Sequence, residues 1–225
     1  VYHEKEGFIM YPYRKALIEA GKTLLHSGLT VETWGNLSLR DPESGLIYLT
    51  PSGMDYETCM EEDIVVLFPD GSISSGTRTP SVEKELHLAV YRTRPEINAI
   101  IHTHPIYSTI FSCIGEQIPL FLDEAAQALS APVKVCPYAL PGSKKLAEVC
   151  ANALSHGENA CLLKSHGTVC IGRTQKEAFK TAKVLEMTAE VYWRIRAIGK
   201  MPDPLDPKDI AAMRHFALYN YGQQK

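Results

Sequence analysis

Three histidines have the spacing and setting of metal ligands. His102 and His104 are separated by one residue, and a β-strand places such alternate residues on the same face. They come at the end of a run of apolar, β-prone residues. His166 stands between two further apolar runs, 160–163 and 168–171, at the turn of a predicted hairpin. Three neutral imidazoles with one open position are typical of a catalytic zinc site rather than a structural one.

The composition favours a globular protein that acts on a small molecule. The 225 residues are 45% hydrophobic, enough for one domain with a full core, so we expect a single domain over 1–225. A formal net charge of −3, without a dense run of lysine and arginine, argues against nucleic acid or a membrane surface as the principal partner. The six cysteines form no C-x-x-C pair, which predicts reduced core thiols. With no signal peptide or membrane-spanning run in this sequence, we expect a cytoplasmic protein.

The apolar periodicity predicts helices and short strands in a mixed order. Helical patterns occur over 11–27 and near 81–94, 105–114, 143–155, 175–197 and 208–218. Strand patterns occur at 36–39, 46–50 and 64–68, and near 98–103, 133–137, 160–163 and 168–171. The hairpin-rich first half argues against a purely parallel sheet, and the later helices imply a sheet covered on its faces. We therefore expect a layered α/β fold.

Five short motifs occur in an order and spacing that resemble the class II aldolase/adducin family, in particular its L-fuculose-phosphate aldolases. They are Thr33-Trp34-Gly35-Asn36, Thr50-Pro51-Ser52-Gly53, Pro80-Ser81-Val82-Glu83, His102-Thr103-His104-Pro105 and Ser165-His166-Gly167. The resemblance covers most of the chain. It implies a three-layer α/β/α fold with a mostly antiparallel central sheet. It also implies a cyclic homotetramer with active sites between subunits.

The resemblance further implies roles for individual residues. One zinc ion per subunit would be held by His102, His104 and His166, and Glu83, 19 positions before His102 (102 − 83), would be the catalytic acid/base. The positions that match the family's phosphate-binding residues are Gly35, Asn36, Ser52, Gly53 and Ser81. The implied reaction is cleavage of a ketose 1-phosphate, similar to L-fuculose 1-phosphate, into dihydroxyacetone phosphate and an aldehyde.

The chemistry of such a cleavage calls for these residue types. Breaking a carbon–carbon bond beside a carbonyl leaves an enediolate, whose developing charge a Lewis acid can stabilise. A carboxylate in a dry cleft beside the metal can then move the protons, and Glu83 fits that role. The alternative interpretation is that Glu83 only complements the dipole of a helix.

Two departures from the family pattern bear on the substrate. The fuculose-phosphate enzymes have two serines before the catalytic glutamate, whereas this chain has Ser81-Val82, so one hydroxyl donor for the phosphate is missing. Asp123 stands about where the pattern has a tyrosine that reaches the neighbouring active site, which makes it a candidate catalytic residue. Tyr221 in the C-terminal tail is a candidate proton donor across the subunit boundary, the alternative being an exposed tail residue.

Other functions remain open at this point. A sugar-phosphate 4-epimerase or a 3-oxo acid phosphate decarboxylase of the same family would use the same stabilised carbanion. The epimerases have aspartates where this chain has Glu83 and, approximately, Gln127, which weakens that interpretation. A non-catalytic adducin-like interaction module predicts eroded ligands, yet all three histidines are present. A hydrolase built on Ser165 and His166 is disfavoured, because no G-x-S-x-G sequence occurs.

Overall fold

The computed structural model describes residues 11–220, which form a three-layer α/β/α structure around one eight-stranded sheet. The helices are α1 (Tyr11–His26), α2 (Lys84–Thr93), α3 (Ile106–Ile114), α4 (Asp123–Leu129), α5 (Lys144–Ala153), α6 (Gln175–Ala197) and α7 (Pro207–Tyr219), with a 3₁₀ turn at Glu61–Asp63. The strands are β1 (Asn36–Arg40), β2 (Ile47–Leu49), β3 (Val65–Leu67), β4 (Ile73–Ser75), β5 (Ala99–Thr103), β6 (Val135–Cys136), β7 (Ala160–Leu163) and β8 (Gly167–Gly172).

The sheet has the strand order β4-β3-β2-β1-β5-β8-β7-β6. Six of the seven neighbouring pairs are antiparallel, and β6 with β7 is the one parallel pair. The mostly antiparallel sheet expected from the motifs is confirmed. Strand β5, which ends at the His-x-His motif, lies in the middle of the sheet between β1 and β8.

Each face of the sheet carries its own hydrophobic core. Along β5, Ala99 and Ile101 belong to one cluster with α1 and α6, while Ile100 belongs to a second cluster with α2 and α5. Strand side chains point alternately to the two faces, so a strand buried on both sides reads as an unbroken apolar run. The apolar segments before His102 and on both sides of His166 therefore form buried strands inside the sheet rather than edge strands.

The predicted elements agree with the structure along most of the chain, and α6 spans the predicted 175–197. Two elements were not predicted. Helix α4 has only seven residues, too few to show a repeat of the helical period. Strand β4 is an edge strand of three largely exposed residues, without the apolar alternation that marks a half-buried strand. No helix within the described residues is long and apolar enough to cross a bilayer.

Candidate active site

The central strand and the neighbouring hairpin bring the three histidines together. His102 lies in β5 and is 1% exposed, and His104 follows the last residue of that strand. His166 lies in the tight turn between β7 and β8, where its N–H donates to the carbonyl oxygen of Leu163 at 3.0 Å. Because β8 pairs with β5 in antiparallel register, Thr168 opposite Thr103, the tip of the hairpin stands beside the His-x-His motif.

The three imidazoles form a compact cluster. One ring nitrogen from each of His102, His104 and His166 lies within 4.8 Å of the other two. The ring centroids are 4.7 to 4.9 Å apart, and the Nε2 atoms of His102 and His104 are separated by 2.8 Å. The structure therefore groups the residues that the sequence analysis selected as a ligand set, while metal binding itself stays a prediction.

Two glycines permit this close approach. A Cβ on Gly167 would lie 2.2 Å from the backbone oxygen of Thr103 and 2.9 Å from Cδ2 of His104. A Cβ on Gly35 would lie 2.6 Å from the backbone oxygen of His102, and Gly35 also has a φ of +81°. Only glycine is tolerated without movement at such contacts. The conformation of the β5 end thus depends on a glycine from each neighbouring segment.

Burial keeps His104 and His166 in the neutral form that binds metal. Desolvation and the neighbouring imidazole of His102 lower the pKa of His104 to about 3 and that of His166 to about 4. His102 Nδ1 lies 2.9 Å from the carbonyl oxygen of Thr168, and since a carbonyl only accepts, Nδ1 carries the proton. In the tautomer protonated at Nδ1, the Nε2 atom of His102 presents its lone pair to the cluster, the arrangement expected of a metal-binding imidazole.

Glu83 completes the group. Its side chain is buried immediately before α2, and its Oε2 lies 3.0 Å from Nε2 of His102. Its Oε1 lies 3.8 Å from Nε2 of His166 and has no hydrogen-bond partner among residues 11–220. Lone pairs of a carboxylate and of imidazoles converge here, and a divalent cation is the species that satisfies such a donor set. The residues present therefore fit a bound metal ion.

The carboxyl of Glu83 is held ionised. Burial opposes ionisation, but the imidazole of His102, the amide of Asn36 and the imidazole of His166 together lower the pKa of Glu83. Asn36 Nδ2 donates to Glu83 Oε2 at 2.9 Å. Oε2 is thus occupied, whereas Oε1 is the buried oxygen that remains free to exchange a proton.

Three of the residues matched to phosphate binding, Ser52, Gly53 and Ser81, lie on two adjoining segments. A backbone bridge between Pro51 and Pro80 brings the turn at Ser52 and Gly53 next to the segment that carries Ser81. The Oγ atom of Ser81 accepts from the N–H of Glu83 at 3.3 Å, just before α2 begins. Ser52 and Gly53 are exposed, and nothing lies within 4 Å of a Cβ built on Gly53. Their role toward a phosphate stays a prediction.

Asn36 has a role that the sequence analysis missed. Its position was matched to phosphate binding, yet its side-chain amide is engaged with Glu83 and His87. The signal was nonlocal: Asn36 pairs with His102 across the β1–β5 register, a relation that sequence spacing does not reveal. Trp34 was also not singled out as a site residue. It is 61% exposed, and its ring lies 6.0 Å from that of His104.

The two other candidate catalytic residues are not joined to this cluster. Asp123 is exposed in the first turn of α4, where its carboxylate complements the helix dipole. Within residues 11–220, no hydrogen bond or ion pair connects it to the histidines or to Glu83. Tyr221 lies outside the described residues. Both assignments stay predictions that depend on a neighbouring subunit.

A central sheet that presents three clustered histidines and a buried glutamate at the end of its middle strand defines a protein of the class II aldolase type. The chain belongs to that family: the family model described as "Class II Aldolase and Adducin N-terminal domain" matches residues 15–193.

Comparison with individual proteins gives several matches. The chain is 34% identical over 212 residues to a 5-deoxy-D-ribulose 1-phosphate aldolase of Bacillus thuringiensis, covering 94% of this chain and 97% of that one. It is 30% identical over 217 residues to an L-ribulose-5-phosphate 4-epimerase of Salmonella paratyphi B, covering 92% and 94%. A solved structure of an L-fuculose 1-phosphate aldolase superimposes with a TM-score of 0.88 at 35% identity, covering 93% and 97%.

Proposed function

We propose that this protein is a metal-dependent aldolase that cleaves a ketose 1-phosphate into dihydroxyacetone phosphate and an aldehyde. The observation that carries the proposal is the free, buried Oε1 of Glu83 beside three clustered imidazoles. The similarity to a 5-deoxy-D-ribulose 1-phosphate aldolase and to an L-fuculose 1-phosphate aldolase supports a ketose 1-phosphate as substrate.

Glu83 performs the proton transfers in this proposal. The bond that breaks joins the carbon beside the carbonyl to a carbon that carries a hydroxyl. The ionised carboxylate of Glu83 takes the proton from that hydroxyl. The carbon–carbon bond breaks, the hydroxyl-bearing fragment leaves as the aldehyde, and the electron pair remains on the other fragment as an enediolate. Glu83 then returns the proton to carbon, which gives dihydroxyacetone phosphate and regenerates the carboxylate. The free Oε1 is the oxygen placed for both transfers, because Oε2 accepts from Asn36.

The three histidines are the proposed metal ligands. A divalent ion held by His102, His104 and His166 would polarise substrate oxygens and stabilise the negative charge that develops during cleavage. We propose zinc, one ion per subunit, because three imidazole nitrogens with an open position are characteristic of catalytic zinc. The bond from His102 Nδ1 to the carbonyl of Thr168 orients the ring so that Nε2 faces the cluster.

The phosphate is proposed to bind where the segment of Ser81 meets the turn of Ser52 and Gly53, with the backbone of Gly35 and Asn36 contributing from the start of β1. Ser81 Oγ accepts a backbone bond, so its own O–H is left to donate to a phosphate oxygen. Val82 is 66% exposed and supplies no hydroxyl. We therefore expect backbone N–H groups to supply the remaining donors.

We also propose a homotetramer with active sites between subunits, in which Asp123 and Tyr221 act on the neighbouring site. Support comes from exposed apolar side chains close to Glu83 and His104, since Val82 and Trp34 are each more than 60% exposed. All six cysteines are free thiols and five of them are buried, which supports a reducing compartment such as the cytoplasm.

A panel of ketose 1-phosphates tests the proposal. We expect stoichiometric release of dihydroxyacetone phosphate and an aldehyde from at least one member, 5-deoxyribulose 1-phosphate and fuculose 1-phosphate being the first to try. The second candidate is a sugar-phosphate 4-epimerase, favoured by the 30% identity to such an enzyme. Conversion of a ketose 5-phosphate into its 4-epimer, without release of an aldehyde from any ketose 1-phosphate, would replace the aldolase proposal.

A further inference from the structure

A line of hydrogen-bonded polar groups runs from the core on the α2 face of the sheet to the carboxylate of Glu83. His87, on α2, is 1% exposed, and its Nε2 lies 2.5 Å from Oδ1 of Asn36. Its Nδ1 lies 2.6 Å from Oγ of Ser38, which in turn lies 2.8 Å from the hydroxyl of Tyr91. At the other end, Nδ2 of Asn36 donates to Glu83 at 2.9 Å.

The chemistry of the groups determines the direction of every bond. An ionised carboxylate only accepts, so Asn36 must turn its NH₂ toward Glu83 and its Oδ1 toward His87. His87 Nε2 must then carry a proton, and Nδ1, unprotonated in the neutral ring, accepts from the hydroxyl of Ser38. Desolvation lowers the pKa of His87 to about 3, which agrees with a neutral ring. All donors in the line therefore point toward Glu83.

We infer that His87 is a positioning residue for Glu83, acting through Asn36. The Nε2–H of His87 fixes the orientation of the Asn36 amide, and the amide holds Oε2 of Glu83 so that Oε1 stays free. Without that donor, Oδ1 of Asn36 would be a buried acceptor with no partner, and rotation of the amide would place it against the carboxylate. The effects on turnover expected below rest on the proposed function, whereas the positioning of Glu83 through Asn36 does not.

Two substitutions separate positioning from packing. In His87→Gln, the side-chain NH₂ can take the place of Nε2–H and donate to Asn36, while the contact with Ser38 is lost. In His87→Asn, the side chain keeps an acceptor for Ser38 but does not reach Asn36. We expect His87→Asn to lower kcat by about 10- to 100-fold, as for a misplaced catalytic group, with KM within about twofold, and His87→Gln to recover most of the loss. Tyr91→Phe, which removes only the far end of the line, is the matched control.

A structural role predicts a different pattern. If His87 only anchors Ser38 or fills the core, His87→Asn will equal or exceed His87→Gln in kcat, and both variants will differ from wild type mainly in melting temperature. That ranking would overturn the inference. Metal content is measured in every variant, so that a lost ion is not mistaken for a misplaced base.

Nuclear magnetic resonance tests the same inference without turnover. In selectively ¹⁵N-labelled wild-type protein at neutral pH, we expect the His87 ring to be neutral and protonated at Nε2. The Asn36 side-chain NH₂ should exchange slowly with solvent, and at least tenfold faster in His87→Asn. A ring protonated at Nδ1, or unchanged exchange, refutes the inference. If no ketose 1-phosphate is cleaved, the proposed function fails, and these two measurements still decide the role of His87.

Discussion

Replacing Glu83 with glutamine removes the proposed proton carrier while keeping its shape. In the wild type, Asn36 Nδ2 donates to Oε2, and Oε1 has no hydrogen-bond partner in the part of the chain that the structure describes. A glutamine can present its carbonyl oxygen to Asn36 and place its NH₂ where Oε1 stood, 3.8 Å from Nε2 of His166. The hydrogen bond that orients the side chain survives, so we expect the fold and the histidine cluster to be retained. The acceptor for the substrate proton is lost.

The size of the effect follows from the role. Loss of a general acid/base typically costs about 10²- to 10⁴-fold in turnover, which corresponds to about 3–5 kcal/mol in the activation free energy. The assay measures aldehyde release and, separately, deuterium exchange into dihydroxyacetone phosphate, which isolates proton transfer at carbon. Both rates should fall together in Glu83→Gln. The matched control is Glu85→Gln in the first turn of α2, where the partly exposed carboxylate lies 3.7 Å from Nζ of Lys84; this variant should leave both rates unchanged.

One result would refute this reasoning. If Glu83→Gln, with metal content and melting temperature equal to wild type, turns over and exchanges deuterium at near-normal rates, Glu83 does not move the proton. The role would then pass to Asp123 or Tyr221. A variant that has lost its metal is reloaded before it is judged, because the carboxylate lies 3.0 Å from a proposed ligand atom of His102.

Three further predictions concern the metal, the glycine contact and the tail. Dialysis against a chelator should abolish turnover, and stoichiometric zinc should restore it. Activity in metal-free protein would exclude the proposed role of the three histidines as ligands of a catalytic metal. Gly167→Ala should weaken metal affinity about 10- to 100-fold and lower the free energy of unfolding by about 1–3 kcal/mol, since its Cβ would lie 2.2 Å from the backbone oxygen of Thr103. Equilibrium dialysis measures the metal affinity, and chemical denaturation measures the free energy of unfolding. Wild-type values of both would show that this close contact does not constrain the site. Deleting 219–225 should lower turnover without loss of metal or of the tetramer in sedimentation; full activity would show that Tyr221 has no catalytic role.

The ligand set was predictable because its signals are local. The two histidines of β5 follow from the alternation of side chains along a strand, and His166 follows from a turn between two apolar runs. The burial of the central strands on both faces of the sheet is also predictable locally, because an unbroken apolar run indicates it. The resemblance in five motifs then related Glu83 to the histidines, a relation that no single stretch of sequence contains.

The partner of Glu83 was not predictable, because it depends on register. Asn36 stands opposite His102 only in the observed pairing of β1 with β5, and a shift of one residue would turn its side chain to the other face of the sheet. His87 lies four residues after Glu83, and the structure gives it hydrogen bonds to Asn36 and Ser38. Its partners could not be predicted, since they lie on a strand about 50 positions earlier in the chain.

The substrate is the least constrained property, and the structure gives a physical reason. The groups proposed to do the chemistry, Glu83 and His102, are almost fully buried, and each is held by hydrogen bonds to the strands around it. Trp34, whose ring lies 6.0 Å from that of His104, and Val82, which precedes Glu83, are more than 60% exposed and make no hydrogen bond through their side chains within the described residues. Changes at such positions alter what can bind without disturbing the buried groups. Relatives with different sugar phosphates in their names can therefore share one catalytic framework, and substrate choice in this chain is expected to respond to substitutions at the exposed positions through KM more than through kcat.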